Sequence, residues 1–390
     1  MTDAVKKISI ITGLSTVMAM LVLAVSSLLP LNDALNRSLY DRLAKEKYRL
    51  VKPPAEIADI TLVLIDNNTL NKMQSRWPYP RSDFATVIDN IEKAGAKVIA
   101  FDFTFMGKST PEEDALLKNS IEKNRNLILA CTVNERGILD FCPGSANNLA
   151  KDTPLGIVTK LQDDDGLSRS ALTYMVNTDD PKKGFLSWEM QLLKTAKAVS
   201  MDSFSSETGR VTFKDGDGKA WSIPVNPKTK SFMINFTAHT TDFKFLSFYN
   251  VLKGDFDPAA LKDKIVMIGL ASSILADIHN TPIGWIPGIT LNANSFLTLY
   301  SRNFLMYLPP LFVYILTILA VILASLIIMR YGNRAGYIFI AAEITLFLLL
   351  SYILFTMGYL WNYSGFPLAV IVCPIMIKKI LGLTYHDLYV

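Results

Sequence analysis

The chain has 390 residues, half of them hydrophobic, with a mean hydropathy of +0.28 and a formal charge of +4. The length admits about two ordinary domains, and the apolar content is high for a soluble protein, so part of it is expected to face lipid. The basic residues are dispersed, which argues against a nucleic-acid partner.

Residues 8–29 carry no charge and, as a helix, are long enough to cross a hydrocarbon core of ~30 Å. Lys6 and Lys7 precede them. A retained anchor is expected here rather than a cleaved signal peptide, because the apolar run exceeds the usual h-region and lacks an A-x-A cleavage site.

The next segments alternate between strand and helix patterns. Runs 60–65 and 96–101 are apolar apart from Thr61 and Lys97 and end at Asp66 and Asp102. Between them Phe84, Val87, Ile88 and Ile91 recur at helical spacing. Ser82 is expected to cap that helix and Gly95 to end it. Thr110, Pro111 and Glu113 predict a second helix opened by a capping box, and 127–133 a third strand. The alternation predicts an α/β domain with a mostly parallel sheet.

The turn-like sequences at 163–166 and 215–218 predict hairpins and an antiparallel extension to that sheet. A helix over 185–198 separates them. Residues 264–269 return to the buried-strand pattern, followed by a loop over 271–288 and a helix over 290–300. That helix leads almost directly into the next apolar run, a link able to pass a shift of the domain to the membrane.

Runs 304–329 and 366–377 are free of charge, and 337–360 contains only Glu343. They predict three more spans, at 304–329, 337–357 and 361–377, about four in all, with Tyr359, Trp361 and Tyr363 as an aromatic belt. Lys6 with Lys7, Arg330 with Arg334, and Lys378 with Lys379 all favour the same side. Both ends, 1–7 and 378–390, are therefore expected in the cytoplasm, and 30–303 outside it.

Cys131 and Cys142 fall in the outer segment and Cys373 in the last span. A disulfide between Cys131 and Cys142 and two independent buried thiols are both open readings.

Three groups of residues carry a family resemblance. They are Leu62-Val63-Leu64-Ile65-Asp66 with Arg76-Trp77-Pro78-Tyr79-Pro80-Arg81 and Ala94 to Asp102; Asp164-Asp165-Gly166 with Arg169; and Lys264 to Gly269 with Asp277, Thr281-Pro282 and Pro287-Gly288-Ile289-Thr290-Leu291-Asn292-Ala293-Asn294. Over about residues 35–302 the chain resembles the CHASE domain of type 2. The resemblance implies an extracytoplasmic sensor in a bacterial inner membrane, of the kind placed ahead of cyclase or kinase modules. After Lys379 only residues 380–390 remain, too few for a catalytic domain. The expectation is thus a sensor that acts through a protein partner or a homo-oligomer, with a structural subunit of a larger assembly as the alternative.

Asp66 and Asp102 are expected at the carboxyl ends of neighbouring parallel strands, where open α/β sheets form a ligand crevice. Arg76, Arg81, Thr104, Asp277 and His279 lie in the loops nearby. Together they would take a polar ligand of unknown identity or a cation. The competing reading is that these carboxylates only hold their loops, by accepting amide hydrogen bonds or pairing with Arg76 or Arg81. Trp77 is expected to be a packing anchor. The turns at 163–166 and 215–218 lack the spacing of an EF-hand, and no glycine series suits a nucleotide. Of the three histidines, His239 and His279 have no adjacent nucleophile motif and His386 lies in the tail, so neither catalysis nor a cofactor is expected. Glu343, inside a span, is expected to reach Arg334 or the interface.

Overall fold

The computed structural model describes residues 3–107, 109–134, 139–141, 153–177, 179, 184–207, 209–275, 277–361 and 365–382. The chain divides into two compact units, Tyr48–Phe304 and the combination of Met1–Lys47 with Leu305–Val390.

In chain order, helices α1 (Asp3–Leu28) and α2 (Pro30–Leu50) come first. Strand β1 (Ile60–Ile65), helices α3 (Asn67–Lys72) and α4 (Arg81–Lys93), strand β2 (Val98–Phe101), helix α5 (Pro111–Lys123) and strand β3 (Leu127–Val133) follow. Short strands β4 (Leu139–Phe141), β5 (Leu155–Ile157), β6 (Ser170–Leu172), β7 (Tyr174–Val176) and β8 (Gly184–Leu186) lead to helix α6 (Trp188–Lys197). Next are β9 (Ser200–Glu207), β10 (Arg210–Lys214), β11 (Ala220–Pro224), β12 (Ser231–Met233), β13 (Lys244–Ser247), α7 (Phe248–Lys253) and β14 (Ile265–Leu270). A hairpin of β15 (Ile278–Thr281) and β16 (Gly284–Pro287) precedes α8 (Gly288–Tyr300). The chain continues through β17 (Met306–Tyr307), α9 (Pro310–Thr356), β18 (Tyr359–Leu360) and α10 (Gly365–Leu381).

The unit Tyr48–Phe304 is built on a sheet in the order β13-β1-β14-β2-β3-β4, with β5 also on β3. Every pairing in it is parallel except β3 with β4. Its central strands are buried throughout because both faces are covered. Leu62, Leu64, Ala100 and Met267 face a core shared with Trp188, Leu192, Ile289 and Phe296 of α6 and α8. Val63, Ile65, Phe101 and Ile268 face the opposite core, shared with Phe84, Val87, Leu117 and Phe248 of α4, α5 and α7. The period-2 alternation of strand side chains separates the two sets.

Several expectations are corrected. Strand β14 lies between β1 and β2, so Asp66 and Asp102 do not follow neighbouring strands. The antiparallel part is not an extension of this sheet but a separate one, β11-β10-β9. The turn at 215–218 does join a hairpin, β10 with β11. The one at 163–166 does not, since β6 beyond it pairs with β12. Residues 271–288 are not all loop, because they hold the β15–β16 hairpin. Pro80, not Ser82, precedes α4 as its N-cap. Thr110 caps α5 as expected, but the Glu113 carboxylate crosses to α4 and accepts from Ser82 N (2.5 Å) and Oγ (2.9 Å). A capping partner is thereby turned into a tie between two helices. The Cys131–Cys142 pairing involves a residue outside the described set.

Close packing of α8 on β14 depends on Gly269, where an added Cβ would lie 2.6 Å from Ile289 Cβ. Gly269→Ala is expected to destabilise the domain by about 1–3 kcal/mol through overpacking. Chemical denaturation of the two proteins, compared at the midpoint, checks this.

In the other unit, two helices are long and apolar enough to cross a membrane, Val5–Leu28 and Pro310–Thr356. Four had been expected. The expected spans 304–329 and 337–357 fall within the single helix α9, whose run is broken at Gly332 (φ 80°, ψ 179°). The expected fourth falls in α10, whose 17 residues are shorter than a full span. Trp361, expected at an aromatic belt, is instead buried, stacked on Phe347 at 4.7 Å with its Nε1 donating to Ser351 Oγ (2.9 Å). Tyr363 lies outside the described residues.

Candidate functional site

Asp102 follows β2, and its backbone N–H extends the ladder by donating to Ile268 O (2.8 Å). Alternation from Ala100 turns its side chain to the face covered by α6 and α8. There it is buried, and Oδ1 accepts from Asn292 Nδ2 of α8. Asp102 Oδ2 and Asn292 Oδ1 are both buried without a hydrogen-bond partner. Burial pushes the Asp102 carboxyl up to about 8; Lys160 opposes the rise, Asp277 and Glu189 add to it, and the Asn292 bond opposes it. Both orphan atoms are acceptors, and a neutral Asp102 carries the hydroxyl hydrogen that such a pair lacks.

Around this carboxyl stand groups from three further segments. Glu189, in the first turn of α6, is buried, and burial raises its carboxyl as well. Lys160 Nζ lies 3.9 Å from Glu189 Oε1. Asp277 precedes β15, and its Oδ1 is 3.1 Å from His279 Nε2, while His279 Nδ1 is buried without a partner. The Asp277 carboxylate rests against Gly288, where any Cβ would collide with it, and Gly288 N donates to Asp277 O (3.0 Å). Gly288 thus brings a carboxylate onto the N-terminal turn of α8, where the helix dipole favours negative charge. Among the described residues no three of His, Cys, Asp and Glu are grouped as a metal site.

The remaining predicted residues do not join this cluster. Asp66 Oδ1 accepts from Thr69 N (2.8 Å), Thr69 Oγ1 (2.9 Å) and Ser247 Oγ (2.8 Å), so it caps α3 and ties it to the end of β13. Arg81 is buried, pairs with Asp114 and donates to Met106 O (3.2 Å) and Gly107 O (2.6 Å). Arg76 is exposed, and Thr104 lies in the loop after β2. Trp77 packs edge-on to Tyr79, Phe84 and Phe103. Glu343 Oε2 is buried without a hydrogen-bond partner.

The Asp163–Gly166 turn is closed by Arg169. This buried guanidinium donates to Asp163 Oδ2 (2.6 Å) and to Asp165 Oδ1 (2.9 Å) and Oδ2 (2.7 Å). Ser168 N then donates to Asn280 O (2.9 Å), fastening the turn to β15 beside His279. Arg169→Ala is expected to destabilise by about 2 kcal/mol, less than loss of a fully buried pair because the two carboxylates are partly exposed. That corresponds to about 4–8 °C in melting temperature, readable by circular dichroism.

Sequence reading missed Asn292, Lys160 and Glu189 as members of the cluster. The signal for Asn292 was an amide in the first turns of an uncharged helix already expected to pack on the sheet. For Glu189 it was a carboxylate at an inward position beside Trp188, whose Nε1 donates to Phe101 O (2.8 Å).

The chain thus joins a three-layered α/β domain, with a polar cluster at the carboxyl ends of its parallel strands, to two helices long and apolar enough to cross a membrane. The chain belongs to the CHASE2 domain family, whose model matches residues 16–327. That family is one of extracytoplasmic sensory domains. No curated protein and no solved structure matches the chain.

Proposed function

We propose that the protein is a membrane-anchored, non-catalytic sensor whose outer domain, 30–303, responds to a small polar ligand at the cluster around Asp102 and acts through a protein partner. The observation that carries this is the Asp102–Asn292 pair. It is buried and half-satisfied, at the carboxyl edge of a parallel sheet, with Lys160, Asp277 and His279 grouped around it. Strained or unsatisfied polar groups of this kind gather at functional sites more than in ordinary cores. On this reading the break of α9 at Gly332 separates two crossings, and α10 with the residues that precede it makes the fourth. With basic residues at 6–7, 330–334 and 378–379, both termini then lie in the cytoplasm.

A thermal-shift screen of the full chain against small polar metabolites tests the site. A compound that stabilises the native protein is expected to lose its effect in Lys160→Gln and Asp277→Asn and to keep it in Arg76→Ala. Equal stabilisation of all four proteins would remove the cluster from the reading. An export-dependent reporter inserted at residue 217 should be active and one after 334 inactive, and the reverse pattern would overturn the orientation.

A further inference from the structure

The break in α9 at Gly332 places Asn333 at the start of the second half of that helix, opposite the end of α10. Between them is a cavity of about 340 Å³. One part of its wall is apolar, from Ile328, Tyr337 and Ile375, and another is polar, from Asn333, Lys378 and Lys379. Lys378 Nζ donates to Asn333 Oδ1 (2.9 Å), which holds the side chain at the cavity. Segments 328–342 and 365–382 carry Arg330, Arg334, Lys378 and Lys379 and no acidic residue. The cavity therefore has a net positive, hydrogen-bonding rim joined to an apolar wall, at the ends of helices suited to a bilayer.

We propose that this cavity binds the phosphate headgroup of an anionic phospholipid. A phosphate diester is an acceptor-only anion, complementary to two ammonium groups, an amide N–H and the phenol of Tyr337. The apolar wall accounts for a lipid rather than a soluble phosphate, because Ile375 continues with Ile371 into an exposed apolar face of α10 that acyl chains would cover, while Ile328 closes the inner wall. Basic pockets between membrane helices take such headgroups, and each lysine near an anionic surface contributes a similar increment. The proposal rests on the membrane placement of these helices and is independent of any ligand at Asp102.

The test uses the full chain in mild detergent, with short-chain phosphatidylglycerol, phosphatidylcholine and inorganic phosphate titrated separately and binding read by native mass spectrometry. Phosphatidylglycerol is expected to bind one per chain, about thirtyfold more weakly to K378Q/K379Q and about fivefold more weakly to either single variant, with K378R/K379R close to native. Phosphatidylcholine is expected to bind much more weakly, and phosphate not to compete at equal concentration. Unchanged phosphatidylglycerol binding by the glutamine variants, equal binding of phosphatidylcholine, or displacement by inorganic phosphate would each overturn the proposal. The single variants preserve the test if the double variant does not purify.

Discussion

Replacing Asp102 by Asn is expected to raise the unfolding temperature at pH 8 and to give progressively less advantage as the pH falls to 5. Burial lifts the folded carboxyl from an ordinary value near 3.8 to about 8. Between those values the native state holds a proton that the unfolded state has released, so stability falls as pH rises. Three pH units in that window correspond to about 4 kcal/mol as an upper bound, or on the order of 10 °C for a domain of this size. Asn at 102 keeps the shape, stays neutral and brings a donor of its own. Lys160, Asp277, Glu189 and His279 surround the group in both proteins, so the difference between the two melting curves against pH isolates Asp102. Parallel curves would show that Asp102 is ionised throughout and that its environment is more polar than the geometry implies.

The same carboxyl shows where sequence reading succeeds and where it stops. Strands β1, β2, β3 and β14 were legible because sheets covered on both faces leave no polar alternation, only short and almost wholly apolar runs. Their order was not legible. Which strand lies beside β1 is decided by a contact some two hundred residues away, and β14 inserts there with no local mark. The consequence was to pair Asp66 with Asp102, although the first caps α3 and only the second meets α8. Turn chemistry was legible at 163–166, yet its partner strand was not, since a turn fixes a change of direction and not what pairs beyond it. The closing Pro287-Gly288 and Asn292-Ala293-Asn294 residues were recognisable as a pattern. Their physical content emerged from packing: Gly288 clears room for Asp277, Asn292 meets Asp102, and Asn294 accepts from Thr237 N (3.2 Å) and Ala238 N (3.1 Å).

Arg81→Ala is expected to destabilise the domain by about 3–5 kcal/mol, as breaking a buried ion pair does when one charge is left behind. The guanidinium serves Asp114 on α5 and two carbonyls, Met106 O and Gly107 O, of the loop after β2. Three acceptors in different directions suit a planar fork, and an ammonium cannot reach them all. Arg81→Lys is therefore expected to recover less than half of the loss. A ligand-binding arginine would behave differently, with stability retained in the lysine variant and binding lost. Denaturant unfolding of Arg81→Ala, Asp114→Ala and the double variant distinguishes the two roles. A coupling of 2 kcal/mol or more marks the structural pair. Because Glu113, next to Asp114, also holds Ser82 of α4, the first turns of α4 and α5 act as one joint. Movement at the loop after β2, which begins at Asp102, must then carry both helices with it or break Arg81 away.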